Sequence, residues 1–182
     1  MSLKIVFVTK STLSKKSIID ILKSGVINRI NAIILRENEL YYEKYGDEIL
    51  DICGQNKVEF ITHNFANYAI TKGLKSIHFS FECFKNIDKN LLLNFNDINV
   101  SIHNKEQLNF AIKNGASSLT YGNIFETNSH PGKIGVGLEK LKNLTNLTNL
   151  DIYAIGGINL QNISKFKDIK IKGVCMMREF MN

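Results

Sequence analysis

Eight short apolar, largely β-branched runs, separated by stretches with helical hydrophobic spacing, limit this chain's folding more than any other feature. The runs are Lys4 to Val8, Ala32 to Leu35, Val58 to Thr62, Ser76 to Ser80, Ile98 to Ile102, Leu119 to Tyr121, Ile152 to Ile155 and Ile171 to Met177. Runs of this length and composition, bounded by polar residues and glycine, read as buried strands. Between them, Ile18, Ile19, Ile21 and Leu22 recur at helical spacing after a cap at Ser11 to Ser14. Tyr41 to Asn56, Phe65 to Lys72 and Leu138 to Leu147 read as further helices, and Phe84 to Phe95 as a distorted one. Asn104 starts another, with Gln107 three residues on as its capping-box partner.

Strands that alternate with helices in this way belong to a parallel α/β fold. Eight units with no sequence left over point to a (β/α)8 barrel, a TIM barrel, occupying residues 1–182 as a single domain, with a shortened last helix. A doubly wound open sheet is the alternative, because strand count does not establish closure. In a barrel, ligand-binding groups belong at the C-terminal ends of the strands and in the loops that follow them.

Those strand ends are polar. Arg36 follows strand two, His63 and Asn64 strand three, Ser80 and Glu82 strand four, and Tyr121 and Asn123 strand six. Ser101 and His103, at the end of strand five, are two residues apart and so share a face. An arginine emerging from a buried strand must meet an anion or water, which favours a ligand role for Arg36. His103 precedes a helix cap, leaving structural and acid–base roles both open, whereas His78 lies mid-strand and reads as a core histidine. Gly156-Gly157 after strand seven, together with Gly173 to Met177 and then Arg178, reads as a phosphate site between loops seven and eight. A tight turn is the plainer explanation of the glycine pair. Gly115 to Glu139 runs from a strand into a long loop of glycine, hydroxyl and cationic residues that holds the only proline, Pro131, and it reads as the lip of the site.

Composition removes several classes of function. The net charge of +6 is scattered through every segment, without the basic stripe or interleaved aromatics of a nucleic-acid binder. No apolar run is long enough to span a membrane, and Lys4 begins a strand with no signal peptide before it, so a cytoplasmic protein is expected. Cys53, Cys83 and Cys175 are widely spaced and form no CxxC, which favours reduced thiols. No metal-binding motif is present, and a homo-oligomer is left open.

The order of Leu35-Arg36-Glu37, Val100-Ser101-Ile102-His103, Tyr121-Gly122-Asn123-Ile124-Phe125-Glu126-Thr127, Ala154-Ile155-Gly156-Gly157-Ile158 and Gly173-Val174 resembles the thiamine-phosphate synthase/TenI superfamily over nearly the whole chain. The resemblance implies a barrel that handles a phosphorylated thiazole or thiamine phosphate. Synthases of this superfamily use magnesium held by aspartates after strands three and four, and carry a lysine two residues after the strand-two arginine. The matching positions here are Asn64, Cys83 and Asn38, with Glu82 beside Cys83. TenI-type thiazole tautomerases need no metal, and the Tyr-Gly-x-Ile-Phe-Glu-Thr segment is nearer that branch, although its catalytic histidine is replaced by Asn123. Thr127 and Ser129 stand at the pyrophosphate-loop positions, with His130 in place of a lysine. The resemblance therefore implies a metal-independent, TenI-like enzyme with no cofactor, in which Arg36, His103 and Asn123 occupy the catalytic positions. Ser101, Thr127, Ser129, Gly156, Gly157, Gly173 and Arg178 would bind the substrate and its phosphate. A divergent magnesium-dependent synthase and a non-catalytic phosphate-ligand binder are the alternatives.

Overall fold

In the computed structural model, residues 3–127, 132 and 134–181 are described. The strands are β1 (Lys4–Val8), β2 (Ala32–Leu35), β3 (Glu59–His63), β4 (Ser76–Phe79), β5 (Asp97–Ile102), β6 (Ser118–Gly122), β7 (Asp151–Ile155) and β8 (Gly173–Met176). They pair in parallel and in sequence order, and β8 pairs back onto β1 from Lys4↔Gly173 to Phe7↔Met176. The sheet is thus a closed barrel, not a doubly wound sheet. Strand eight is shorter than expected because Ile171 turns back on itself, its N–H donating to the Ile169 carbonyl.

The surrounding helices are α1 (Ile18–Lys23), α2 (Glu39–Tyr41), α3 (Asp47–Gln55), α4 (Ala66–Thr71), α5 (Phe81–Asn86), α6 (Lys89–Leu92), α7 (Lys105–Lys113), α8 (Gly137–Thr145) and α9 (Arg178–Met181). A π-helical turn, Tyr42–Gly46, joins α2 to α3. The distorted helix expected over Phe84 to Phe95 is two helices, because the Asp88 carboxylate accepts from the Asn90 N–H and starts a second one. Asn104 caps α7 by accepting from the Gln107 N–H at 2.8 Å, while the Gln107 side chain reaches back to the His103 N–H. After β7 there is only the 3-10 turn Ile163–Phe166, and α9 is a single turn whose Phe180 packs edge-on against Phe7, ring centres 5.4 Å apart. Among the described residues, no helix is long and apolar enough to cross a membrane.

Side chains on a strand alternate between its two faces, and that parity divides the molecule. Phe7, Ile33, Leu35, Ile77, Phe79, Val100, Ile102, Leu119 and Val174 point outward into one core shared with the helices. The inward set falls into two sectors. Val6, Val8, Ala32, Ile34 and Cys175 form an apolar cluster on β1, β2 and β8. Across from it, Asn99 donates to Ser118 Oγ at 2.9 Å and accepts from Thr120 Oγ1 at 2.6 Å, while Ser118 Oγ donates to Asp97 at 2.8 Å. Buried polar groups are tolerable only when hydrogen-bonded, and these satisfy one another.

One buried hydroxyl couples the strands that frame the mouth. Tyr42 donates to the Leu35 carbonyl at the end of β2 and accepts from the His63 N–H on β3 at 2.9 Å. Removing it takes away the hydroxyl that links this carbonyl to this amide. Tyr42→Phe is therefore expected to cost about 1–3 kcal/mol in urea unfolding; unchanged stability would show that the bridge contributes nothing.

Candidate functional site

The C-terminal ends of the strands surround a cavity of about 620 Å³. Arg36, Ser101, His103, Asn123, Thr127, Gly156, Gly157 and Arg178 all line it, so the structure gathers eight of the ten residues singled out from sequence. Ser129, with His130 and Pro131, lies outside the described residues. Gly173 is a correction: it is the first residue of β8, at the opposite end of the barrel, level with Lys4 and Tyr153. A Cβ there would sit 2.4 Å from the Lys4 carbonyl oxygen, so this glycine serves strand approach and not phosphate.

Glycines also shape the lip. Gly156 has φ +103°, and a Cβ on it would meet Asn123 at 2.4 Å; one on Gly157, φ +66°, would meet Glu126 at 2.7 Å. Both plain and functional requirements therefore fall on this pair: the loop after β7 must turn, and it must press against residues 123–126. The long loop after β6 is held at both feet, with Val136 N–H donating to the Asn123 carbonyl and Gly137 N–H to the Ile124 carbonyl. Asn123 additionally donates from Nδ2 to the Phe125 carbonyl. The Gly157 and Ile158 N–H groups donate to no described residue, and both residues line the cavity along with Arg178. Arg178 Nε is buried without a hydrogen-bond partner among the described residues.

Lys10, Arg36 and Arg178 bring three cations to the cavity, against Glu126 and Glu179. Glu179 is 4.0 Å from Arg29. Glu37, next to Arg36, is turned away and accepts from the N–H and hydroxyl of Ser11 at 2.7 and 2.6 Å. Among the described residues Arg36 has no such partner, and it lines the cavity.

His103 has a defined orientation. Its Nδ1 lies 2.7 Å from the Gly122 carbonyl oxygen, which can only accept, so Nδ1 carries the proton. In the neutral ring the lone pair is then on Nε2. His78, expected in the core, is indeed buried, at 5% exposure, but it lies on the inward face and borders the cavity. Its Nδ1 is 2.7 Å from His63 Nδ1, and its Nε2 is 2.9 Å from Ser101 Oγ. Burial above all, then the positive charge of Arg36, lowers His63 to about 4. Burial, His63 and Arg36 hold His78 well below the ordinary imidazole value.

The positions that match the synthases' magnesium aspartates do not fit that ion. Magnesium takes oxygen ligands in near-octahedral geometry, usually one or two carboxylates plus substrate phosphates. Asn64 Oδ1 already accepts from the Ser80 N–H at 2.9 Å, and its Nδ2 faces His63. Burial raises the Cys83 thiol, keeping it protonated. Glu82 borders a second cavity between the helices, with Glu39, Glu43 and Tyr68. Among the described residues, no three His, Cys, Asp or Glu side chains form a metal-binding group.

Lys10 and His78 were not among the residues chosen from sequence, and His63 was singled out only as a polar strand end. Parity along Val6, Val8, Lys10 and along Ser76, His78, Ser80 was the available signal. The depressed histidines set a pH dependence. Between about 4 and the ordinary value near 6.5 the unfolded chain binds a proton at His63 that the folded chain does not. Stability should therefore fall as pH drops through that window, by up to about 1.4 kcal/mol per unit for each such histidine. Urea unfolding between pH 7 and 4.5 should show a shallower loss in His63→Asn; identical slopes would contradict a neutral, buried His63.

The profile described as "Thiamine monophosphate synthase" (TMP-TENI) matches residues 5–180. The Arabidopsis thaliana "Thiamine biosynthetic bifunctional enzyme TH1, chloroplastic" is 29% identical over 180 residues, covering 93% of this chain. This chain spans only 34% of that protein. The "Thiamine-phosphate synthase" of Clostridium perfringens is 25% identical over 183 residues, covering 98% of this chain and 88% of the relative. Among solved structures, "Thiamine phosphate pyrophosphorylase" from Pyrococcus furiosus superposes with a TM-score of 0.78 at 19% identity, over 96% of this chain and 85% of that one. At that identity the superposition speaks to the fold, and it agrees with the closed barrel. The profile match over nearly every residue decides the family: this chain belongs to the thiamine monophosphate synthase (TMP-TENI) family.

Proposed function

We propose that this chain acts in thiamine biosynthesis on a thiazole phosphate, as a metal-independent tautomerase of the TenI type. The observation that carries the reading is His103. Its Nδ1–H is held by the Gly122 carbonyl, so its basic Nε2 is available in a cavity lined by the guanidinium groups of Arg36 and Arg178. Aromatising a thiazole carboxylate phosphate requires a C–H bond to break, the electron pair to shift into the ring, and a proton to return elsewhere on the conjugated system. A single base that takes and returns the proton suffices. In this reading His103 Nε2 takes it, Arg36 meets the ring carboxylate, and the Gly157 and Ile158 amides with Arg178 receive the phosphate. Asn123 cannot act as a base near neutral pH; it borders the substrate and shapes the lip. Thr127, with Ser129 where the resemblance places it, contributes to anion binding.

The second reading, a divergent thiamine-phosphate synthase, is favoured by the names of the relatives. It requires the charge of a departing pyrophosphate to be neutralised, with Asn64 and Cys83 in place of the aspartates. The third, a binder without turnover, is favoured by Asn123 where the tautomerases have their histidine.

Assay of both reactions, each with magnesium and with a chelator, separates the three. Tautomerisation is expected to persist in chelator and to fall by about 10²- to 10⁴-fold in His103→Ala. Full activity in that variant removes His103 from the mechanism. Magnesium-dependent formation of thiamine phosphate would establish the synthase instead, and stabilisation by thiamine phosphate without any turnover would establish the binder.

A further inference from the structure

We infer that Asn64 sets the polarity of a hydrogen-bonded chain, Asn64–His63–His78–Ser101, so that Ser101 enters the cavity as a donor and selects a hydrogen-bond acceptor on the ligand. The polarity follows from geometry alone. The acceptor preference also rests on reading the barrel mouth as an anion site.

The chain begins at a group whose role is unambiguous. A backbone N–H can only donate, and that of Ser80 lies 2.9 Å from Asn64 Oδ1. The oxygen of the Asn64 amide is thereby assigned, and the other end, 3.1 Å from His63 Nε2, is the NH₂ group. An NH₂ group can only donate, so His63 Nε2 carries a lone pair. The proton of neutral His63 is then on Nδ1. His63 Nδ1 and His78 Nδ1 are 2.7 Å apart with ring centres 4.9 Å apart and planes 26° apart. That separation is near the largest that two such rings allow, so the nitrogens point at each other head-on, as in a hydrogen bond and not a stack. One nitrogen must donate and the other accept. With His63 Nδ1–H donating, His78 Nδ1 accepts, and the His78 proton is on Nε2. His78 Nε2–H donates to Ser101 Oγ at 2.9 Å. Ser101 has accepted, and its own hydroxyl hydrogen is left for the cavity that it borders.

The opposite polarity would make Ser101 donate to His78 and present only lone pairs to the ligand. A single residue separates the two states. Asn64 adopts φ +67°, its N–H donates to the His78 carbonyl, and its side chain bridges Ser80 and His63, so its amide is held in place from three sides. The left-handed conformation is one that Asn and Asp tolerate best among residues with a Cβ. Asp at this position should therefore fold, yet it has no hydrogen to donate. Both of its oxygens would accept, from Ser80 N–H and from His63 Nε2–H. Arg36 lines the same cavity as Ser101, so its positive charge favours an anionic acceptor at the mouth. The group selected is a carboxylate or phosphate oxygen.

Long-range ¹H–¹⁵N spectra of the imidazoles read the tautomers directly. The unsubstituted protein is expected to show His63 protonated on Nδ1 and His78 on Nε2. In Asn64→Asp, His63 Nε2 should gain a proton. A wild-type spectrum with His63 protonated on Nε2 overturns the inference whatever the variant does, and so does an Asn64→Asp spectrum in which Nε2 stays bare. Ser101→Ala should weaken binding of a thiazole phosphate carboxylate by about 3- to 10-fold, the worth of one such hydrogen bond. Equal affinity overturns the donor role of Ser101. If the unsubstituted protein binds no thiazole phosphate at all, the proposed function fails, and the spectra decide the polarity by themselves.

Discussion

Everything at the mouth depends on the closing of β8 against β1. Four successive pairs, from Lys4↔Gly173 to Phe7↔Met176, convert a twisted sheet with two raw edges into a barrel with none. The contact starts where the chain has no side chain to spare: at Gly173 a Cβ would stand 2.4 Å from the Lys4 carbonyl oxygen and 2.8 Å from the Lys4 Cβ. The seam is then backed from outside by Phe180 on α9 against Phe7 on β1, an edge-to-face pair that adds about 0.5–1.5 kcal/mol beyond burial. Only because the ring is closed do Lys10, after β1, and Arg178, after β8, face one cavity with Arg36.

Closure also decides what the interior can hold. Apart from Lys4, which lies 3.9 Å from Glu59, inward positions on β1, β2 and β8 are apolar and need no partners, whereas those on β3 to β6 carry Glu59, Ser76, His78, Asn99, Ser118 and Thr120. An ordinary core would exclude these groups. Here each finds a partner one strand away: Ser76 with Glu59, His78 with His63 and Ser101, Asn99 with Ser118 and Thr120. Parallel strands in register place inward residues side by side, so a polar sector, once begun, can be satisfied laterally around the ring. The apolar sector supplies the packing and the polar sector the orientation of what reaches the mouth.

This division explains how far the sequence could be read. Strand existence and order were legible because outward residues such as Phe7, Ile33, Phe79 and Val100 are uniformly apolar, and helix starts were legible where a cap was local, as at Asn104 with Gln107. Eight of the chosen site residues face one cavity because strand ends in a closed barrel must converge. Gly173 was misplaced because a glycine needed for strand approach and one needed for anion approach look alike in sequence. His78 was placed in the core on its apolar neighbours, although parity with Ser76 and Ser80 puts it inside the barrel. The pairing of His63 with His78 could not have been seen, since it depends on the β3–β4 register, His63↔His78, and on an amide oriented by the backbone of Ser80.

A mouth that gathers three cations would repel itself if its histidines were charged as well. It avoids this by burying two of them. His63 and His78 stay neutral because desolvation and the Arg36 charge both oppose protonation, and neutral rings can pass hydrogen-bond direction along without adding charge. His103 is more exposed and takes its orientation from the Gly122 carbonyl, which fixes the tautomer. The imidazoles are thus separated by environment into two kinds: a buried pair that transmits orientation and an exposed one whose lone pair is on Nε2. Positive charge at the mouth comes from Lys10, Arg36 and Arg178. On the proposed tautomerase reading, anion attraction and proton exchange would fall to different residues, the first persisting while the second proceeds.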